Sequence, residues 1–122
     1  MDKRVFFNGV YWYCSKASNE RTNMTAKEYF RFFENGTVLS VSTPATIEQL
    51  KNWFNEEGDS DRGTFVIDGD TISFQIVCKG PFGVVGTIDY VGVIINDKLV
   101  INKHSNINGF GSKDMEFLFS TW

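Results

Sequence analysis

An Asn-Gly pair between two β-forming runs constrains this chain more than any other feature. The stretch reads Tyr29-Phe30-Arg31-Phe32-Phe33-Glu34-Asn35-Gly36-Thr37-Val38-Leu39-Ser40-Val41. Aromatic residues precede the pair and β-branched residues follow it. Such a pair is the strongest short-range hairpin signal, because a two-residue type I′ turn needs positive φ at both central positions. Strand alternation puts Phe30 and Phe32 on one face and Tyr29, Arg31 and Phe33 on the other. Both faces carry aromatics. Arg31 assigns its own face to water and leaves Phe30 and Phe32 for the inside.

The rest of the chain repeats this unit of short strand, tight turn and short strand. A first strand spans residues 5–14 and holds Phe6, Phe7, Tyr11, Trp12 and Tyr13, with Gly9 as an interruption. A glycine there marks a bulge, a bend or the close approach of another backbone. Residues 15–25 are polar and read as a loop. Strand two covers residues 26–34 and strand three residues 37–42. Thr43-Pro44 then opens a helix, with Thr43 as cap, Pro44 at the first helical position and Glu48 near the positive end of the dipole. Ile47, Leu50 and Phe54 share one side of it, and Glu56-Glu57-Gly58 ends it.

Strands then follow quickly, at residues 63–67, 71–79, 84–95, 98–103 and 115–122. The turns between them are Asp68-Gly69, Gly80-Pro81-Phe82-Gly83 and Asn96-Asp97, and a polar loop covers residues 105–112. Ile72, Phe74, Ile76 and Cys78 share one face, as do Met115, Phe117 and Phe119. Eight short strands joined by tight turns predict an antiparallel meander, and eight is the number that closes into a small barrel without exposed edges. The expectation is therefore an all-β, eight-stranded antiparallel up-and-down barrel, with one short helix between strands three and four. A chain of 122 residues forms it as a single domain, residues 1–122.

Asn8-Gly9-Val10-Tyr11 resembles the Gly-x-Trp signature of the lipocalins, with Tyr11 in place of tryptophan. Gly9-Val10-Tyr11, the Tyr29–Val38 stretch and Ser42-Thr43-Pro44 before a helix are similar to the C-terminal domain of one group of F-box ubiquitin-ligase adaptors. That similarity covers about the first 55 residues by motif and the remainder by strand pattern. No F-box accompanies it, so ubiquitin-ligase membership is not implied. The arginine that packs on the signature tryptophan in lipocalins has no clear counterpart near the C-terminus. The resemblance implies a calycin-type barrel, and lipocalin relatives often hold small apolar ligands inside.

Chemistry-bearing constellations are sparse. His104 is the single histidine, which excludes an all-histidine zinc site and leaves few routes to a Ser-His-Asp triad. It reads as an exposed strand-end residue, with an axial haem ligand as the functional alternative. Asp68-Gly69-Asp70 resembles half of a calcium loop but lacks the later ligands. Gly80, Gly83 and Gly86 lack the spacing and the lysine of a phosphate loop. Asp89 sits mid-strand and is expected to face outward, since a buried carboxylate is costly. Cys14 and Cys78 read as buried free thiols, with a bridge as the alternative in an exported chain. No catalytic residue, metal or cofactor is assigned.

With a formal charge of -3 and scattered cations, no nucleic-acid surface is expected. The N-terminus lacks the apolar core of a signal peptide, and no stretch suits a membrane span, so a cytoplasmic protein is the expectation. Twelve phenylalanines, four tyrosines and three tryptophans supply either a packed core or an aromatic-lined cavity. Two functions follow. One is a non-enzymatic barrel binding a small apolar ligand, lined by Tyr11, Phe30, Phe32, Phe74, Tyr90 and Phe117. The alternative is a protein-interaction domain with a solid aromatic core and no ligand; its protein partner is not readable.

Overall fold

The computed structural model describes residues 4–13 and 27–122. Among these, eight antiparallel strands close into a barrel in chain order. They are β1 (Gly9–Tyr13), β2 (Lys27–Phe32), β3 (Thr37–Thr43), β4 (Asp61–Asp68), β5 (Thr71–Gly80), β6 (Gly83–Ile95), β7 (Lys98–Ser105) and β8 (Gly111–Thr121). One helix, α1 (Ile47–Trp53), joins β3 to β4. β1 closes the ring: Tyr11 lies opposite Phe30 of β2 on one side and Phe119 of β8 on the other. Gly9 is the residue that closure requires, because a Cβ there would overlap the Ser120 carbonyl oxygen of β8. Of the three meanings a strand glycine offers, close approach is the one realised.

The β2–β3 hairpin forms where expected, with a different turn. Gly36 has φ +94°, while Asn35 is not at positive φ. The Phe33 N–H donates to Thr37 O at 2.9 Å, and the Gly36 N–H donates to Phe33 O at 3.0 Å. This is a type I turn followed by a left-handed glycine, rather than the two-residue type I′ loop. The Asn35 carboxamide oxygen accepts from the Thr37 N–H at 3.0 Å, which holds the turn without left-handed geometry at Asn35.

Other boundaries shift for identifiable reasons. Strand one is shorter than expected, yet Val5 is buried in the core without being part of it. Cys14 and residues 15–25 lie outside the described residues. The polar residues 105–112 hold a tight turn rather than a long loop: the Ser105 N–H donates to Phe110 O at 2.8 Å, so β7 and β8 both reach into them. Thr43 does not cap the helix, because it is still paired with Lys27 as the last residue of β3. Thr46 caps instead, in a capping box. Its hydroxyl accepts from the Gln49 N–H at 3.2 Å, and the Gln49 side chain accepts from the Thr46 N–H at 2.8 Å. The helix ends at Trp53, so Glu56 and Glu57 fall beyond it.

The aromatic character of both faces of β2 has a structural cause: both are covered. Phe30 and Phe32 join the barrel interior. Tyr29 joins Val10 and Leu39 on the outer wall, where Leu50 of α1 and Phe54 at its C-cap seal them from water. The helix therefore flanks the wall of β1–β3 and does not close a barrel mouth with Ile47, Leu50 and Phe54. Arg31 does not point freely into water either. Its Nη1 donates to Phe54 O at 2.7 Å, and its guanidinium carbon lies 4.7 Å from the Phe33 ring centroid and 5.0 Å from that of Trp122. Partial burial lowers its pKa. A long cationic side chain with an aliphatic stem can cover apolar surface and still bond a carbonyl, so a charge need not mark a solvated face.

The registers define two ends. At one lie residues 4–8 and the turns at 33–36, 69–70 and 96–97. Buried Val5 and the 5.0 Å contact between the Phe6 and Phe119 rings close it. The opposite end carries the β5–β6 turn at 81–82 and the β7–β8 turn at 106–110. Among the described residues, that end forms the barrel mouth. Among the described residues no helix is long and apolar enough to cross a membrane.

Candidate site at the barrel mouth

All six residues expected to surround a ligand point inward and belong to one buried cluster. They are in contact with one another. Phe30 sits at the centre, with ring centroids 4.5 Å from Phe117 and 4.9 Å from both Phe74 and Tyr90. Tyr11 meets Phe32 edge-on at 5.4 Å, and Phe32 meets Phe74 at 5.6 Å. Edge-to-face pairs of this kind satisfy the ring quadrupoles, each worth about 0.5–1.5 kcal/mol beyond area burial. The rings thus form a packed floor beneath the mouth.

Two of the six carry hydroxyls, and each finds a partner. The Tyr11 oxygen accepts from the Phe6 N–H at 3.0 Å, and burial pushes its phenol up to about 12. The Tyr90 hydroxyl donates to Glu28 Oε1 at 2.6 Å. Burial, followed by the Glu28 carboxylate, raises the Tyr90 pKa and keeps it a donor. Glu28 also meets Lys103, whose Nζ lies 3.4 Å from each carboxylate oxygen. Strand alternation explains these placements. Glu28 shares the inward face of β2 with Phe30, and Lys103 continues the inward row of Leu99 and Ile101.

The mouth itself opens into a cleft of about 320 Å³, and none of the six expected residues lines it. Ile88, Ile107 and Phe110 give it apolar walls, and Lys103, Ser105 and Ser112 add polar ones. Ile107 fits there because Gly86 lacks a side chain; a Cβ on Gly86 would meet Ile107 Cγ1 at 2.6 Å. The volume lies within the range of small-molecule sites.

The other sequence candidates lie elsewhere. His104 is exposed and faces outward on β7, opposite Asp89. Asp89 faces outward as expected; hydrogen bonds from Asn106 Nδ2 at 2.9 Å and Gln75 Nε2 at 2.8 Å lower its pKa. Asp68-Gly69-Asp70 is the β4–β5 turn, with Gly69 at φ +64°. Among the described residues no cluster of three or more His, Cys, Asp or Glu could hold a metal ion. Cys78 is a free thiol packed against the inner core, its pKa raised by burial and then by Asp61.

Glu28, Lys103, Ile88, Ile107 and Phe110 were not among the candidates from sequence. Periodicity carried a signal for the first three, since each falls on the inward parity of its strand. Ile107 and Phe110 sit in a turn, where no periodicity applies. Comparison with protein-family models, curated proteins and solved structures finds no match for this chain.

Proposed function

We propose that this chain is a non-enzymatic barrel that binds a small apolar ligand at its mouth. The observation that carries this reading is the cleft of about 320 Å³ with its Ile88, Ile107 and Phe110 walls. Exposed apolar side chains gathered around a concavity mark binding surfaces more often than they occur by chance. Titration with an uncharged environment-sensitive dye such as Nile red tests it. The dye should brighten on the native protein, small apolar molecules should displace it, and Ile88→Ser and Phe110→Ser should each weaken uptake. A native protein that leaves the dye dark, or uptake that ignores both substitutions, would overturn the reading.

A protein-interaction domain is the second reading. The β5–β6 hairpin favours it, because Phe82 at its tip is fully exposed and Val84 and Val85 beside it are exposed as well. Apolar tips of this kind suit a partner surface. A dark dye, together with a melting temperature indifferent to small apolar molecules, would move the assignment to this reading.

A further inference from the structure

We propose that the mouth cleft selects a ligand with a singly charged acid head group, and that Lys103 makes the selection by exchanging Glu28 for that head. This rests on the reading of the mouth as a ligand site. Among the described lining residues Lys103 carries the only charge. A ligand head entering the cleft therefore meets a cation, flanked by the Ser105 and Ser112 side chains, while Ile88, Ile107 and Phe110 accept its apolar part.

The present partner of Lys103 is held loosely. Both Glu28 oxygens stand 3.4 Å from Nζ, longer than the roughly 2.7–2.9 Å of a well-made charge-assisted bond. Glu28 has a closer partner in the Tyr90 hydroxyl at 2.6 Å. If the ammonium swings away, Glu28 keeps its strongest hydrogen bond and is not stranded. The flexible stem of lysine and its three rotatable donors permit such a swing, which a planar guanidinium would resist. Tyr90 is thus the fixed partner of Glu28, and Lys103 the movable one.

Charge sets the ligand class. Among the described lining residues Lys103 is the one cation a head meets, and Glu28 beside it is already anionic. A singly charged head can share the ammonium with Glu28, while a second negative charge would add repulsion with no further cation to offset it. An ammonium head would face Lys103 as a like charge. An uncharged head would leave the pair as it stands and gain nothing from it.

Calorimetric titration with decanoate, decanol and decylamine tests this in wild type, Lys103→Met, Lys103→Arg and Glu28→Gln. Decanoate should bind wild type at least about tenfold more tightly than decanol, as expected for one hydrogen bond to a charged group. Decylamine should bind weakest. Lys103→Met should reduce decanoate to the level of decanol, and Lys103→Arg should keep part of the preference. Glu28→Gln should tighten decanoate, because Lys103 then lacks its resident anion. Equal affinities of decanoate and decanol for wild type would overturn the acid selection and leave the ligand site standing; that comparison needs no variant. A preference surviving Lys103→Met would overturn the role of Lys103. Binding of none of the three would overturn the site itself and this inference with it.

Discussion

The Tyr90 hydroxyl donates to Glu28 across the barrel interior, over 2.6 Å, although β6 and β2 are not neighbours in the sheet. The bond ties opposite walls just above the aromatic floor. A hydrogen bond to a charged group contributes about 1.5–3 kcal/mol. Tyr90→Phe preserves the ring contacts with Phe30 and Phe74 and removes this tie together with the hydrogen bond the hydroxyl shares with Ser40. We expect a loss in that range or above it by urea denaturation, since among the described residues Glu28 then keeps the 3.4 Å contact with Lys103. An unchanged midpoint would mean that water replaces the hydroxyl without cost.

Alkali should unfold this protein through its inward phenols. Burial pushes Tyr11 up to about 12 and raises Tyr90, the latter with help from Glu28. In the unfolded chain both ionise near pH 10 or so. Above that pH the unfolded chain gives up protons that the folded chain still holds, so stability falls as pH rises. The contribution is complete below about pH 10 and is lost progressively as the pH climbs through about 12. Phenolate absorbance followed alongside far-ultraviolet circular dichroism checks this: a share of the phenolate signal should appear only with unfolding. Complete ionisation of a still-folded protein would contradict the burial of Tyr11 and Tyr90.

Two phenylalanines separate core from tip. Phe32 is fully buried and touches Tyr11, Phe65 and Phe74, whereas Phe82 is fully exposed. Phe32→Ala should cost about 3–5 kcal/mol, the transfer loss plus the hole left behind. Phe82→Ser should stay within about 0.5 kcal/mol. Denaturation midpoints of the two variants measure both, and comparable losses would show that Phe82 packs against the barrel in solution.

Arg31 holds the end of α1 against the wall through its 2.7 Å bond to the Phe54 carbonyl. Among the described residues its Nε is buried without a hydrogen-bond partner, so the site carries a cost as well as a gain. Arg31→Met keeps the stem between Phe33 and Trp122 and removes the donor. Hydrogen exchange should then quicken at the amides of Leu50 and Phe54, which close the helix onto Thr46 and Leu50 carbonyls, while β5 and β6 amides stay protected. Unaltered exchange in α1 would show that Leu50 and Phe54 packing alone retains the helix.

Local chemistry in the chain was enough to define the barrel and much of its inner surface. Turn residues such as Gly36 and Gly69 punctuate the strands at positive φ. Period-two patterning put Phe30, Phe32, Phe74 and Phe117 on the interior, because a one-residue slip would have turned every one of them to water. The two-faced aromatic pattern of β2 was visible as well, but its meaning was not, since a helix distant in sequence supplies the second cover. Thr43 and Arg31 were misread for related reasons. A capping residue can be claimed by strand pairing, and a charged side chain can be claimed by a carbonyl and two rings. The mouth belonged to the tertiary structure. Glu28 and Lys103 had the inward parity, but a charge on an inward position is ordinarily rejected until its partner is known. That partner stands 75 residues away in the chain, and only closure of the barrel brings the two together above the aromatic floor.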